Sequence, residues 1–70
     1  MTDADRLAEA GRLLYGDWWH TQMAEALGVA RRTVQRRANG ESAVPSSAWA
    51  EIQMLLRKHG KRTLDYAETL

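Results

Sequence analysis

Arg31, Arg32, Gln35 and Arg36 stand at i, i+1, i+4 and i+5, the spacing that gathers four side chains on one broad face of a short helix. An arginine presents two N–H donors that match O6 and N7 of a guanine, and glutamine pairs in the same bidentate way with N6 and N7 of an adenine. Carried in the first turn and a half of a helix, which is the right width for a major groove, such a set can read base edges. Val34, with Ala30 and Ala38 one turn to either side, marks the opposite face as the buried one. A face that is merely solvated favours mixed signs at i and i+4. Here no acid lies between Glu25 and Glu41, which favours contact with nucleic acid over simple solvation.

Such a helix needs a scaffold, and the sequence predicts an all-α bundle of four or five short helices, because β-branched residues are too sparse for strands. Thr2 is a suitable N-cap with Asp5 three residues on, and Leu7, Ala10, Gly11 and Leu14 form the core stripe of a first helix ending at Tyr15-Gly16. Asp17 is expected to cap a second helix over 18–27, with Trp19, Met23, Ala26 and Leu27 inward and Gly28 as its stop. The third helix is expected over 30–38, stopping at Asn39-Gly40. Pro45, with fixed φ and no N–H, suits the first position of a fourth helix. That helix carries Trp49, Ile52, Leu55, Leu56 and His59 and is expected to close at Gly60. Residues 61–70 would then add a short fifth helix with Leu64, Ala67, Tyr66 and Leu70 as its apolar positions.

Length and composition set the outer bounds. Seventy residues make one domain near the lower limit of what a single core stabilises, so help from a partner subunit or ligand is expected. The absence of cysteine removes disulfides and thiolate metal sites. No apolar run approaches the roughly 18 residues of a membrane span, and the acidic start at Asp3 and Asp5 is unlike a secretory leader, so a soluble cytoplasmic protein is expected. The formal charge of +1 hides a segregation: four of the ten basic residues fall in 31–37 and four in 57–62, whereas residues 1–30 hold five acids against Arg6 and Arg12. A nearly neutral chain arranged in this way still presents a basic surface.

The stretch 19–40, with Gln22, Ala24, Leu27-Gly28-Val29, Thr33-Val34 and Gly40, resembles the helix-turn-helix of phage Cro-like and Xre-type repressors, whose fold is lambda repressor-like. The resemblance covers about a third of the chain. It implies that the second helix crosses the phosphate backbone while the third lies in the major groove. On that reading Arg31, Arg32, Gln35 and Arg36 are the base-reading set, Arg31 and Gln35 foremost. Thr21 and Gln22 would contact phosphate at the start of the second helix, where free backbone N–H groups also favour an anion. Ser42, Ser46 and Ser47, around the start of the fourth helix, would clamp the next phosphates. Phosphate contacts position such a protein; only base-edge contacts specify sequence. Two positions depart from the pattern. Ala30 stands where these motifs often carry a Ser or Thr cap, and Arg37 where a large apolar residue is common. Either the Arg37 stem covers the core edge, or the residue adds a phosphate contact, the role assigned to it here.

Other residues suggest chemistry that the pattern does not carry through. His20 and His59 form no His-x-x-x-His pair and have no cysteine beside them, so no metal and no cofactor is expected. His59 is read as a helix C-terminal residue, where positive charge is favoured. Trp19 and Trp49 lie on core stripes, whereas Trp18 shares a face with Gln22 and Glu25 and is expected to pack over Leu14 or to serve a protein interface. Arg57, Lys58, Lys61 and Arg62 fit a second phosphate patch or an ordinary cation-rich helix end equally well. No paired carboxylates, Ser/His/Asp set or Gly-rich phosphate loop accompanies these features, so catalysis is not expected.

The expectation is therefore sequence-specific binding of double-stranded DNA by a homodimeric repressor or autoregulator of phage or mobile-element type. One short helix discriminates modestly, at roughly 1 to 3 kcal/mol per bidentate pair, and two copies double it. A dimer reads an inverted repeat with half-sites about 34 Å apart. Leu64, Tyr66, Ala67 and Leu70 are the candidate interface. Two other classes remain open: an adaptor that holds an acidic partner on its basic face, and the DNA-binding subdomain of a recombinase or excisionase.

Overall fold

Thr2 opens the first helix as its residue type predicts. In a computed structural model, which describes residues 2–70, its hydroxyl accepts from the Asp5 backbone N–H at 3.1 Å while the Asp5 carboxylate accepts from the Thr2 N–H at 3.3 Å. This reciprocal box satisfies two donors that a bare helix end leaves free. It also holds the Asp5 carboxyl below its ordinary range, through the Thr2 backbone first and the Thr2 hydroxyl second. The helix α1 so started runs Asp3–Tyr15, followed by α2 Trp19–Leu27, α3 Arg31–Ala38 and α4 Ser46–Ala67, with no strand among the described residues.

The α2 to α3 corner is built by its turn residue. Gly28 takes φ 68°, ψ 32°, the left-handed conformation that costs a glycine little. That turn lets the Val29 N–H reach the Ala24 carbonyl at 3.0 Å and the Gly28 N–H reach Glu25 at 3.3 Å, closing α2 in a Schellman pattern. Gly40 repeats the device after α3 with φ 79°, as the Glu41 N–H bonds Arg36 O at 2.9 Å and the Gly40 N–H bonds Arg37 O at 3.2 Å. Asn39 itself stays right-handed at φ −88°.

Leu7 and Ala10 of α1, Trp19, Met23 and Ala24 of α2, Val34 of α3, Val44 of the connecting loop, and Ala48 and Ile52 of α4 form one buried cluster. α1 packs on all three other helices and α2 on both α3 and α4, while α3 has no backbone contact with α4. α1 and α2 approach closely where Gly11 faces the Trp19 ring so tightly that an added Cβ would overlap it.

Several expectations are corrected. Asp17 does not cap α2: Trp18 occupies the N-cap position, with no side-chain cap bond, and the helix begins one residue later, where Trp19 enters the core beneath Gly11. Ala26 is exposed, whereas Ala24, one of the residues that carry the resemblance, is buried, because the inward face of α2 centres on Met23. Ala30 is the exposed N-cap residue of α3, the place that the motif gave it, and does not lie on the buried face of the helix. Pro45 is the N-cap residue of α4, extended at ψ 155°, not its first helical residue. Of the predicted α4 stripe Ile52 is buried, Trp49, Leu55 and Leu56 are half-buried, and His59 is exposed.

The largest difference concerns Gly60. No helix ends there: α4 continues to Ala67, so the expected fifth helix is the second half of the fourth, and His59 is mid-helix rather than C-terminal. A glycine interrupts a helix only weakly when neither neighbouring turn has a reason to stop, and the Thr63 hydroxyl donates to the His59 carbonyl at 2.8 Å across the position. From residue 57 onward every side chain except half-buried Gly60 is exposed. This free half of α4 accounts for the elongated outline of 43 × 24 × 22 Å.

Because a Cβ at Gly60 would meet nothing within 4 Å, Gly60→Ala is expected to stabilise the domain by about 0.5 to 1 kcal/mol through backbone entropy and helix propensity. A higher denaturant midpoint with unchanged slope is the expected reading. A lower midpoint would mean that α4 needs its glycine.

Candidate nucleic-acid interface

α3 is held from one side. Val34 is 1 % exposed and anchors it, with Thr33, Arg37 and Ala38 half-buried beside it. At about 100° per residue, Arg31, Gln35, Arg32 and Arg36 then sweep one continuous arc of roughly 140° on the outer side, and all four are exposed. Among the described residues no carboxylate lies within ion-pair distance of any of these arginines; the ion pair present is Arg6 with Asp3 at 3.9 Å on α1. Four donor-bearing side chains without internal partners can meet an external acceptor surface at little cost in broken contacts. The helix begins without a side-chain cap, Ala30 being extended at φ −70°, ψ 147°.

The other predicted positions are distributed as follows. Thr21 and Gln22 are exposed in the first turn of α2, and Thr21 borders a recess of about 100 Å³ with Trp18, His20 and Arg31, so the starts of α2 and α3 meet there. Ser46 and Ser47 are exposed in the first turn of α4. Ser42 lies apart from them, in a hollow shared with Asp3, Asp5 and Glu41, whose carboxylates repel a phosphate. Arg37 sits about 100° beyond Arg36, past the edge of the outer arc. It is half-buried with its Nε enclosed and unpartnered, between the Ser42 hollow and a second one lined by Leu27, Val29, Ser47 and Glu51. Its stem thus lies at the core edge beside Leu27 and Val29. Leu64, Tyr66, Ala67 and Leu70 are all exposed at the free end of α4, and Leu70 lies beyond the helix.

The extension of α4 also changes the reading of Arg57, Lys58, Lys61 and Arg62. The last turn of α4 contains no basic residue, so complementing the helix dipole does not explain these four exposed, mid-helix cations.

Of the neighbours of these residues, Trp18 departs from its expected packing, and His20 had no expected place. Trp18 does not pack over Leu14; it is 87 % exposed. The available signal was its helix face, shared with the polar Gln22 and Glu25. His20 stacks on Trp19 with ring centroids 4.1 Å apart and lies beside Arg31. Burial, then the positive charges of Arg31 and Arg12, lower its imidazole pKa below the ordinary value. Among the described residues no cluster of three metal-ligating side chains occurs and no helix is long and apolar enough to cross a membrane. Compared with known protein families, curated proteins and solved structures, the chain has no match in any of the three.

Proposed function

We propose that this domain binds double-stranded DNA sequence-specifically through α3 and acts as a homodimeric transcriptional repressor or autoregulator. One observation carries the reading: Arg31, Arg32, Gln35 and Arg36 form an exposed, unpaired arc of side chains capable of bidentate hydrogen bonding, on a helix fixed from behind by Val34. In the groove, Arg31 and Gln35 read base edges and Arg32 and Arg36 continue the contact along the helix. Thr21, Gln22, Ser46 and Ser47 hold phosphates on either side. Two copies joined through Leu64, Tyr66 and Ala67 of α4 present two such helices to an inverted repeat.

A second reading is favoured by the free half of α4. Its four exposed cations suit an adaptor that grips an acidic protein, and such a protein would show no preference among duplexes. A DNA-binding subdomain of a recombinase would bind DNA without repressing a reporter placed behind its site.

Salt separates DNA binding from the adaptor. With six phosphates contacted, affinity for duplex DNA is expected to fall about a thousandfold between 50 and 200 mM salt, since each neutralised phosphate releases condensed counterions. Fluorescence anisotropy of a labelled duplex measures it. A flat response excludes a phosphate-tracking interface.

A further inference from the structure

Trp18 is the largest apolar side chain that this small domain leaves outside its core. Trp19 is buried and Trp49 half-buried, yet Trp18 is 87 % exposed. A domain of this size has little apolar surface to spare, and the place against Gly11 of α1 is taken by the Trp19 ring. The indole is instead held at the N-cap of α2, at the rim of the recess that joins α2 to α3.

The chemistry around that recess selects a ligand. It offers a flat apolar ring with one N–H donor from Trp18, a hydroxyl from Thr21, an imidazole from His20 and the stem and charge of Arg31. Asp17, the nearest carboxylate in sequence, does not border it. An apolar plate beside hydrogen-bond donors and a cation matches a deoxyribose joined to a phosphate. It matches a base pair poorly, because a paired base in a duplex offers no free face for stacking.

Resting on the DNA-binding reading of α3, we propose that Trp18, His20, Thr21 and Arg31 form a seat for one sugar–phosphate unit at the edge of the groove, with the indole lying against the deoxyribose and the Thr21 hydroxyl and indole N–H donating to the phosphate. Arg31 is the wall shared with the reading helix, so the seat fixes the depth at which α3 enters. A contact of this kind is blind to sequence. It raises affinity for every duplex by the same factor.

The experiment uses the full chain and, as probes, the duplex that the wild-type protein enriches from a random library and a scrambled duplex of the same length. Trp18→Ala, checked for unchanged helical signal and melting, is expected to weaken binding to both probes by about five- to tenfold, on the order of what burying part of an apolar ring and making one hydrogen bond contribute. Their ratio stays constant. Trp18→Phe keeps the flat face and recovers most of the loss. Wild-type affinity in Trp18→Ala overturns the seat and leaves the DNA reading intact, as does a Trp18→Phe loss equal to that of alanine. A variant that sediments as a smaller species than wild type assigns Trp18 to a protein interface and overturns the seat. If the wild-type protein enriches no duplex, the reading of α3 fails and the seat fails with it.

Discussion

Replacing Arg31 and Gln35 together by alanine is expected to abolish discrimination among DNA sequences while leaving the fold intact. Each bidentate pair with a base contributes roughly 1 to 3 kcal/mol of discrimination. Removing both therefore lowers the ratio of preferred to scrambled binding by about thirtyfold at the least. The fold is spared because both side chains are exposed and unpaired, whereas α3 is secured by Val34. Alanine is also the better helix former at both positions. Residual affinity for any duplex remains, since Arg32, Arg36 and the phosphate contacts of Thr21, Gln22, Ser46 and Ser47 persist and only one charge per protomer is lost. Competition binding with preferred and scrambled duplexes, alongside the helical circular dichroism signal, gives both halves of the result. Discrimination equal to wild type would remove α3 from the reading role.

Gly11→Ala is the second large effect, and its sign runs against helix propensity. In an unobstructed helix the change gains about 1 kcal/mol, as expected at Gly60. At Gly11 the new Cβ falls on the Trp19 ring, whose Cγ, Cδ2 and Cε3 are all too close. Neither a helix backbone nor a buried indole yields easily, so a net loss of about 3 kcal/mol is expected, the upper range of overpacking. A domain of this length has roughly 4 to 10 kcal/mol of stability in all, and at about 4 to 8 °C per kcal/mol the melting temperature drops by more than 10 °C. Combining Gly11→Ala with Trp19→Leu tests the cause: a direct clash makes the double variant more stable than the sum of its parts. Strict additivity, or a melting temperature at the wild-type value, would show that α1 and α2 separate freely.

These two glycines show what the sequence discloses and what it does not. Periodicity placed Gly11, Leu7 and Ala10 on the inner stripe of α1, and cap and turn chemistry located Thr2, Gly28 and Gly40, because each is a local rule that acts within a few residues. The arc of Arg31, Arg32, Gln35 and Arg36 was legible for the same reason: once a helix is granted, its faces follow from pitch. Gly60 was misread because a lone glycine marks either a stop or a tolerated interruption, and a missing Schellman partner decides between them only in three dimensions. Trp18 was misread because adjacent tryptophans compete for one cavity. Gly11 admits Trp19, which leaves Trp18 on the polar face that it shares with Gln22 and Glu25. The half-burial of Arg37 turned on how α3, the loop after it and the start of α4 come together around its Nε, which spacing does not encode.

The most direct test of the central claim is selection of bound sequences from a random duplex library by the full chain, followed by recovery of the consensus. A homodimer reading through α3 predicts an inverted repeat with half-site centres about one helical turn apart, near 34 Å, and loss of that consensus with Arg31→Ala, Gln35→Ala. A library returned with no enriched sequence would contradict the account.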